Sequence, residues 1–110
     1  MPVTWEDNAS VDELKEFVFE NEAVIEMSMY GGFEQVGPLG AQIVRDDVQT
    51  TTEAGDIVLY AGDQIVVFYG SNTWAYTRLG HIELSAEELT ELLGSENVTL
   101  TLTLTQENDL

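Results

Sequence analysis

Residues 55–80 have the sequence GDIVLYAGDQIVVFYGSNTWAYTRLG, and this stretch decides the class of fold. Asp56 to Tyr60 and Gln64 to Tyr69 are rich in β-branched and aromatic residues, which favour strands. The three residues between them include Gly62, which is typical of a tight hairpin. A third run, Trp74 to Leu79, has the alternation of a strand, with Trp74, Tyr76 and Arg78 on one face. The sequence therefore predicts antiparallel strands that follow one another closely along the chain.

Two segments outside this stretch have the apolar spacing of short helices. The first is Val11 to Phe19, and Ser10 with Glu13 has the spacing of a capping box at its start. The second follows Ser85, which forms the same pattern with Glu88. The polar faces of both helices carry acidic residues and indicate solvent exposure rather than a site.

The remaining segments predict two further strands and two loops. Ala23 to Met29 and Val98 to Thr105 both alternate, and the second does so with leucine or valine facing inward and threonine facing outward. Residues 30–40 contain four glycines and a proline and predict an ordered loop. Asp46 to Gly55 is polar and predicts a mobile surface loop. The total is about six or seven strands and two helices, most simply a mainly antiparallel barrel.

Four segments of the chain are similar to the bacterial cyclophilin-like domain family. They are Tyr30 to Glu34, Val36 to Gly40, Gly55 to Tyr60 and Gln64 to Gly80. The resemblance runs from about Thr4 to Leu104. It implies a closed or nearly closed antiparallel β-barrel with two short capping helices, and a single domain over residues 1–110.

The resemblance also indicates that the first strand of the barrel is incomplete. The family begins with a hairpin, whereas here only Val3 to Glu6 precedes the first helix, so residues 1–9 are interpreted as an incomplete N-terminal strand region. Residues 106–110 are interpreted as a polar tail. An open barrel edge would accept a strand from a partner or from a second copy of the chain, and thus favours a homodimer.

Composition excludes several classes of function. The chain has 110 residues, 21 acidic against 3 basic side chains, a formal charge of -18 and no cysteine. Nucleic acids and anionic membranes are disfavoured because the protein would repel them. Disulfides and cysteine-based zinc sites are excluded. We expect a cytoplasmic protein without metal or cofactor, whose acidic surface suits a salt-rich cytoplasm.

Arg78 is the most informative candidate site residue. It shares a predicted strand face with Trp74 and Tyr76, where a guanidinium can stack on an aromatic ring. One interpretation is an ion pair with a nearby carboxylate that stabilises the barrel. The other is a cleft in which Arg78 binds a carbonyl or carboxylate beside an apolar pocket, and four residues are candidates to line that pocket: Met27, Met29, Tyr30 and Phe33.

The other candidate groups favour structural roles. His81 is the only histidine and has no ligand-type spacing, so it is a weak candidate for binding. The adjacent acids at 6–7, 46–47 and 87–88 indicate a solvated surface. Two functions remain. The first is a binding or interaction module, non-catalytic or of unknown activity, for a peptide, a protein or a small molecule. The alternative is a weak peptidyl-prolyl isomerase that uses Arg78.

Overall fold

The computed structural model describes residues 2–19, 21–94 and 97–103. This part of the chain forms eight strands and two helices. In chain order they are β1 (Val3–Trp5), α1 (Ala9–Val18), β2 (Ala23–Tyr30), β3 (Glu34–Pro38), β4 (Val48–Thr51), β5 (Asp56–Tyr60), β6 (Gln64–Phe68), β7 (Thr73–Ile82), α2 (Ala86–Leu93) and β8 (Asn97–Leu102).

The strands form one antiparallel sheet that curves into an open half-barrel. Their order is β1-β7-β5-β6-β3-β2-β8, and β4 pairs with β7 outside this path. The predicted mainly β fold with two short helices is therefore confirmed, but the barrel is open rather than closed. Within the described residues β1 and β8 lie at opposite ends of the order with no pairing between them. Because β1 has only three residues and pairs with β7 alone, it leaves one edge free.

The sheet has an inner and an outer apolar face. The inner face packs against both helices through side chains such as Leu14, Leu59 and Leu89. The outer face carries a smaller buried cluster, which consists of Val58, Val66, Phe68 and Tyr76. Side chains alternate between the two faces along β5 and β6, so both strands are buried on either side.

The predicted β5–β6 hairpin is confirmed. Its strands pair from Ile57↔Val67 to Tyr60↔Gln64. Ala61 and Gly62 between them have φ values of 57° and 80°. Two successive residues in the left-handed region match the right-handed twist of the flanking strands, which is why a glycine stands in this turn.

Of the two predicted capping boxes, the one at the start of α2 is present, and the prediction of one at the start of α1 is wrong. In α2 the Ser85 and Glu88 side chains each bond the other residue's backbone amide, as predicted. The α1 helix instead begins at Ala9 and is capped by Asn8, whose side chain accepts from the amide of Val11 at 2.9 Å. Ser10 is therefore already helical, and its hydroxyl donates to the Val44 carbonyl at 2.6 Å.

Two segments predicted as loops contain strands. Gly31 and Gly32 turn the chain with positive φ, but β3 follows at once and pairs with β2 and β6. The threonine-rich segment contains β4, which pairs with the first half of β7. In both cases a long-range partner supplies the backbone hydrogen bonds that a strand requires. The predicted last strand is confirmed over Asn97–Leu102, whereas Leu104, Thr105 and the polar tail lie outside the described residues.

A β-bulge in β7 determines which of its side chains face outward. Val58 pairs with Arg78 but Ile57 pairs with Gly80, so Leu79 is the extra residue. Leu79 lies in the inner core, and both Arg78 and His81 contact Asp56 on the outer side. Neither helix in the described residues has the length and apolar content to cross a membrane.

Candidate functional site

A pocket of about 360 Å³ lies on the outer face of the sheet, and we call it the aromatic pocket. Strands β2, β3, β5, β6 and β7 all contribute to it, so it exists only where five strands meet. Its lining residues are Tyr30, Glu34, Val36, Tyr60, Val66, Asn72, Trp74 and Tyr76.

Tyr76 forms the rigid base of the aromatic pocket. Its side chain is buried and contacts the rings of Phe68 and Tyr60 edge-on, with centroid distances of 5.6 and 6.1 Å. The Asn72 side-chain amide donates to the Tyr76 hydroxyl at 3.0 Å. Such ring contacts fix a side chain beyond the area that they bury. The base of the pocket is therefore formed before any ligand arrives.

The rim of the pocket is exposed aromatic surface. Tyr30 is 63% exposed and Trp74 is 55% exposed. Tyr30 is held in place by Phe33, whose ring meets it edge-on at 6.1 Å and stacks on Phe68 at 6.4 Å. Tyrosine and tryptophan supply large contact areas with few rotatable bonds, so such a rim is suited to recognition.

Glu34 places a carboxyl group in this apolar surrounding. It is only 7% exposed, and its position in the sheet is opposite Tyr30 on β2 and Phe68 on β6. Its Oε1 atom is buried and has no hydrogen-bond partner in the described part of the protein. Burial raises the pKa of this carboxyl from its ordinary value of 4.5 to about 7. Burial also raises the pKa of Tyr76.

Arg78 and His81 both bind the buried carboxylate of Asp56. Arg78 Nη1 lies 3.0 Å from Asp56 Oδ2, and His81 Nδ1 lies 2.8 Å from Oδ1. The amide of Glu53 also donates to Oδ2 at 2.9 Å. Of the two interpretations of Arg78, the structure shows the ion pair. Within the described residues, no group of three or more histidine or acidic side chains is arranged to hold a metal ion.

The structure brings only some of the candidate site residues together. Tyr30, Trp74 and Tyr76 line the aromatic pocket, and Phe33 supports its rim. Met27 is buried in the inner core, on the opposite side of the sheet. Met29 is partly exposed near the end of β2 and does not line the pocket. Arg78 and His81 are engaged with Asp56 and do not line it either.

Five lining residues were not among the candidates from the sequence, namely Glu34, Val36, Tyr60, Val66 and Asn72. One signal for Glu34 was available, because it is the only charged residue between Glu26 and Arg45. A single acid within a long uncharged segment can be buried together with that segment, whereas most acids in the described part of the chain lie on helices and loops. Nothing in the local sequence marks Tyr60 or Asn72, because only the strand pairing brings them to Tyr76.

A second cleft, of about 650 Å³, lies where the barrel fails to close, and we call it the seam cleft. Trp5 of β1 and residues 98–102 of β8 border it, and inner-face side chains such as Met27, Ile57 and Ile82 form its floor. Its described lining residues carry no charge. The cleft is therefore an apolar groove between two free strand edges and offers no group for acid–base chemistry.

The comparison with known families agrees with this architecture. The model of the cyclophilin-like family matches residues 1–104, which is most of the chain. Comparison with curated proteins and with solved structures yields no match. The antiparallel half-barrel with two helices fits the family match, and we conclude that the chain belongs to the cyclophilin-like family.

Proposed function

We propose that the protein is a binding module that holds a ligand in the aromatic pocket and carries out no reaction on it. The observation that carries this proposal is the pocket itself, with a rigid aromatic base at Tyr76 and an exposed aromatic rim at Tyr30 and Trp74. Its volume of about 360 Å³ is at the lower end for ligand sites, which commonly measure about 300–1,000 Å³. The pocket thus suits one side chain or a small molecule.

The isomerase alternative has less support in the geometry. Catalysis of prolyl rotation requires a donor aimed at the imide beside an apolar pocket that holds the proline ring. Arg78 directs Nη1 to Asp56 at 3.0 Å and Nη2 to the Thr51 carbonyl at 3.4 Å. Arg78 would have to break both of these hydrogen bonds to reach a substrate, and it does not line the aromatic pocket.

A selection from a random peptide library displayed on phage tests the binding function. We expect binders whose affinity is lost in the Tyr30→Ala and Trp74→Ala variants. Phe19→Ala is the matched control, because Phe19 is as exposed as Tyr30 at 63% but lies at the end of α1, away from the pocket. Binders whose affinity is unchanged by both pocket substitutions would contradict the proposal.

A protease-coupled assay with a proline peptide separates the two functions. The binding module predicts no rate above background with the wild-type protein. A rate that is lost in Arg78→Ala, with the circular dichroism spectrum unchanged, would instead establish the isomerase.

A further inference from the structure

We infer that the ligand of the aromatic pocket is an organic cation, an alkylated ammonium group, recognised by Glu34 together with the surrounding rings. This inference rests on the binding function proposed above and names its ligand class.

The walls of the pocket have the composition of a site for such cations. Tyr30, Tyr60, Trp74 and Tyr76 surround it on three different strands. The faces of these rings attract a cation within about 6 Å of their centroids, and tryptophan attracts it most strongly. An alkylated ammonium also presents methyl groups, which pack on aromatic surface without losing strong hydrogen bonds to water.

Glu34 is the second and independent observation. A buried carboxylate is costly unless an opposite charge or several hydrogen bonds compensate for it. Glu34 is 7% exposed, and its Oε1 has no partner in the described part of the protein. A cation in the pocket would supply the opposite charge that the ionised carboxylate lacks, and the carboxylate would in turn add a charge to the attraction of the rings.

The chain supplies no cationic side chain of its own for Glu34. It has three basic residues. Arg45 pairs with Asp47, Arg78 pairs with Asp56, and Lys15 lies on the exposed face of α1. None of the three lines the aromatic pocket. A cation that neutralises the ionised Glu34 must therefore come from outside, and the formal charge of -18 would draw cations toward the protein and repel anions.

Trp74 provides a direct signal for binding. The chain has two tryptophans, and Trp5 lies in the seam cleft, so Trp5→Phe leaves Trp74 as the only indole. In this background we would titrate choline and its neutral isostere 3,3-dimethylbutan-1-ol at pH ~8, where Glu34 is ionised. We expect saturable quenching by choline and binding of the neutral alcohol that is at least about tenfold weaker.

Glu34→Gln isolates the contribution of the carboxylate. The substitution keeps the size of the side chain and removes its charge, so choline affinity should fall about tenfold while affinity for the alcohol stays the same. Glu16→Gln, which removes a charge from the exposed face of α1, is the control and should leave both unchanged. Retained folding of each variant is checked by circular dichroism.

Lowering the pH should weaken choline binding in the wild type but not in Glu34→Gln. Acidification to about pH 5.5 protonates a carboxyl whose pKa is about 7. The other titratable side chains that line the pocket are Tyr30 on β2, Tyr60 on β5 and Tyr76 on β7, and burial raises the pKa of Tyr76.

The outcomes separate the two proposals. Equal affinity for choline and the alcohol would overturn the cation inference and leave the binding function standing. A choline affinity that is unchanged in Glu34→Gln would do the same. If neither compound changes Trp74 fluorescence while the peptide library still gives pocket-dependent binders, the cation inference alone is wrong. The two sources of the cation are separated by comparing choline with a pentapeptide that contains trimethyllysine. If the pentapeptide binds more tightly, the inference holds and the ligand is a peptide side chain. If choline binds more tightly, the inference holds and the ligand is a free small cation.

Discussion

Glu34 is expected to make the free energy of unfolding depend on pH, and Glu34→Gln is expected to remove that dependence. Burial raises the pKa of this carboxyl from 4.5 to about 7 in the folded protein, and the unfolded chain restores the ordinary value. Between these two pH values the folded state holds the proton and the unfolded state releases it. The stability that the bound proton provides is therefore complete below about pH 4.5 and is lost as the pH rises through 7.

The size of the effect follows from the difference between the two pKa values. At about 1.4 kcal/mol for each pKa unit, the change from 4.5 to about 7 corresponds to about 3 kcal/mol. Roughly 2.5 kcal/mol of this should fall between pH ~5 and ~8. Small domains have a total stability of about 5–15 kcal/mol, so the loss is large enough to measure.

Urea denaturation of the wild type and Glu34→Gln at pH ~5 and ~8 tests this prediction. The lower pH stays above the pI of 4.1, where the protein is least soluble. The quantity to compare is the stability of the variant minus that of the wild type. It should shift in favour of the variant by roughly 2.5 kcal/mol from the lower to the higher pH.

Glu16→Gln is the control for the net charge, because repulsion within a strongly acidic protein itself depends on pH. Glu16 is exposed, and its variant should shift against the wild type by less than about 0.5 kcal/mol over the same range. A Glu34→Gln difference that stays constant with pH would refute the reasoning. A shift in the opposite direction would show that the folded state stabilises the ionised carboxylate.

Three further predictions concern the fold. Asp56→Asn should lower stability in urea by about 1–3 kcal/mol, because the buried Asp56 carboxylate contacts Arg78, His81 and the amide of Glu53; Arg45→Met, which breaks an exposed pair, should cost less than about 1 kcal/mol, and equal costs would contradict this contrast. Gly37→Ala should cost about 1–3 kcal/mol in thermal unfolding, because its Cβ would lie 2.6 Å from the Glu26 carbonyl oxygen; an unchanged midpoint would show that β2 and β3 can separate without cost. Pairing of two copies through the free edges of β1 and β8 should appear as a dimer in sedimentation velocity, more strongly in ~2 M KCl where the charge is screened; a monomer at every salt concentration would exclude it.

Predictions from the sequence succeeded where structure depends on neighbours along the chain. The β5–β6 hairpin follows from Gly62 between two β-prone runs, and the start of α2 follows from Ser85 and Glu88. They failed where a distant partner decides. Residues 48–51 form a strand because β7 extends far enough to pair with them, and Ser10 is not the cap of α1 because Asn8 takes that role.

The opening between β1 and β8 is another feature that depends on residues far apart in the sequence. The sequence indicated that the first strand is short, since only Val3 to Glu6 precedes the first helix. It did not show that β1 and β8 would face each other across an apolar cleft of about 650 Å³. That cleft depends on the curvature of the sheet, which sums the twist of every strand pair between its two ends.

The sequence by itself determined the chain's acidic charge, its mainly antiparallel architecture and the aromatic residues of β7 from which the pocket is partly built. Only the tertiary structure placed Glu34 among four aromatic rings and held Arg78 against Asp56. The physical reason is that the pKa of an acid depends on its solvent exposure and on the charges within a few ångströms. The pocket that contains Glu34 is built by residues of five strands, and no local pattern in the sequence encodes their meeting point.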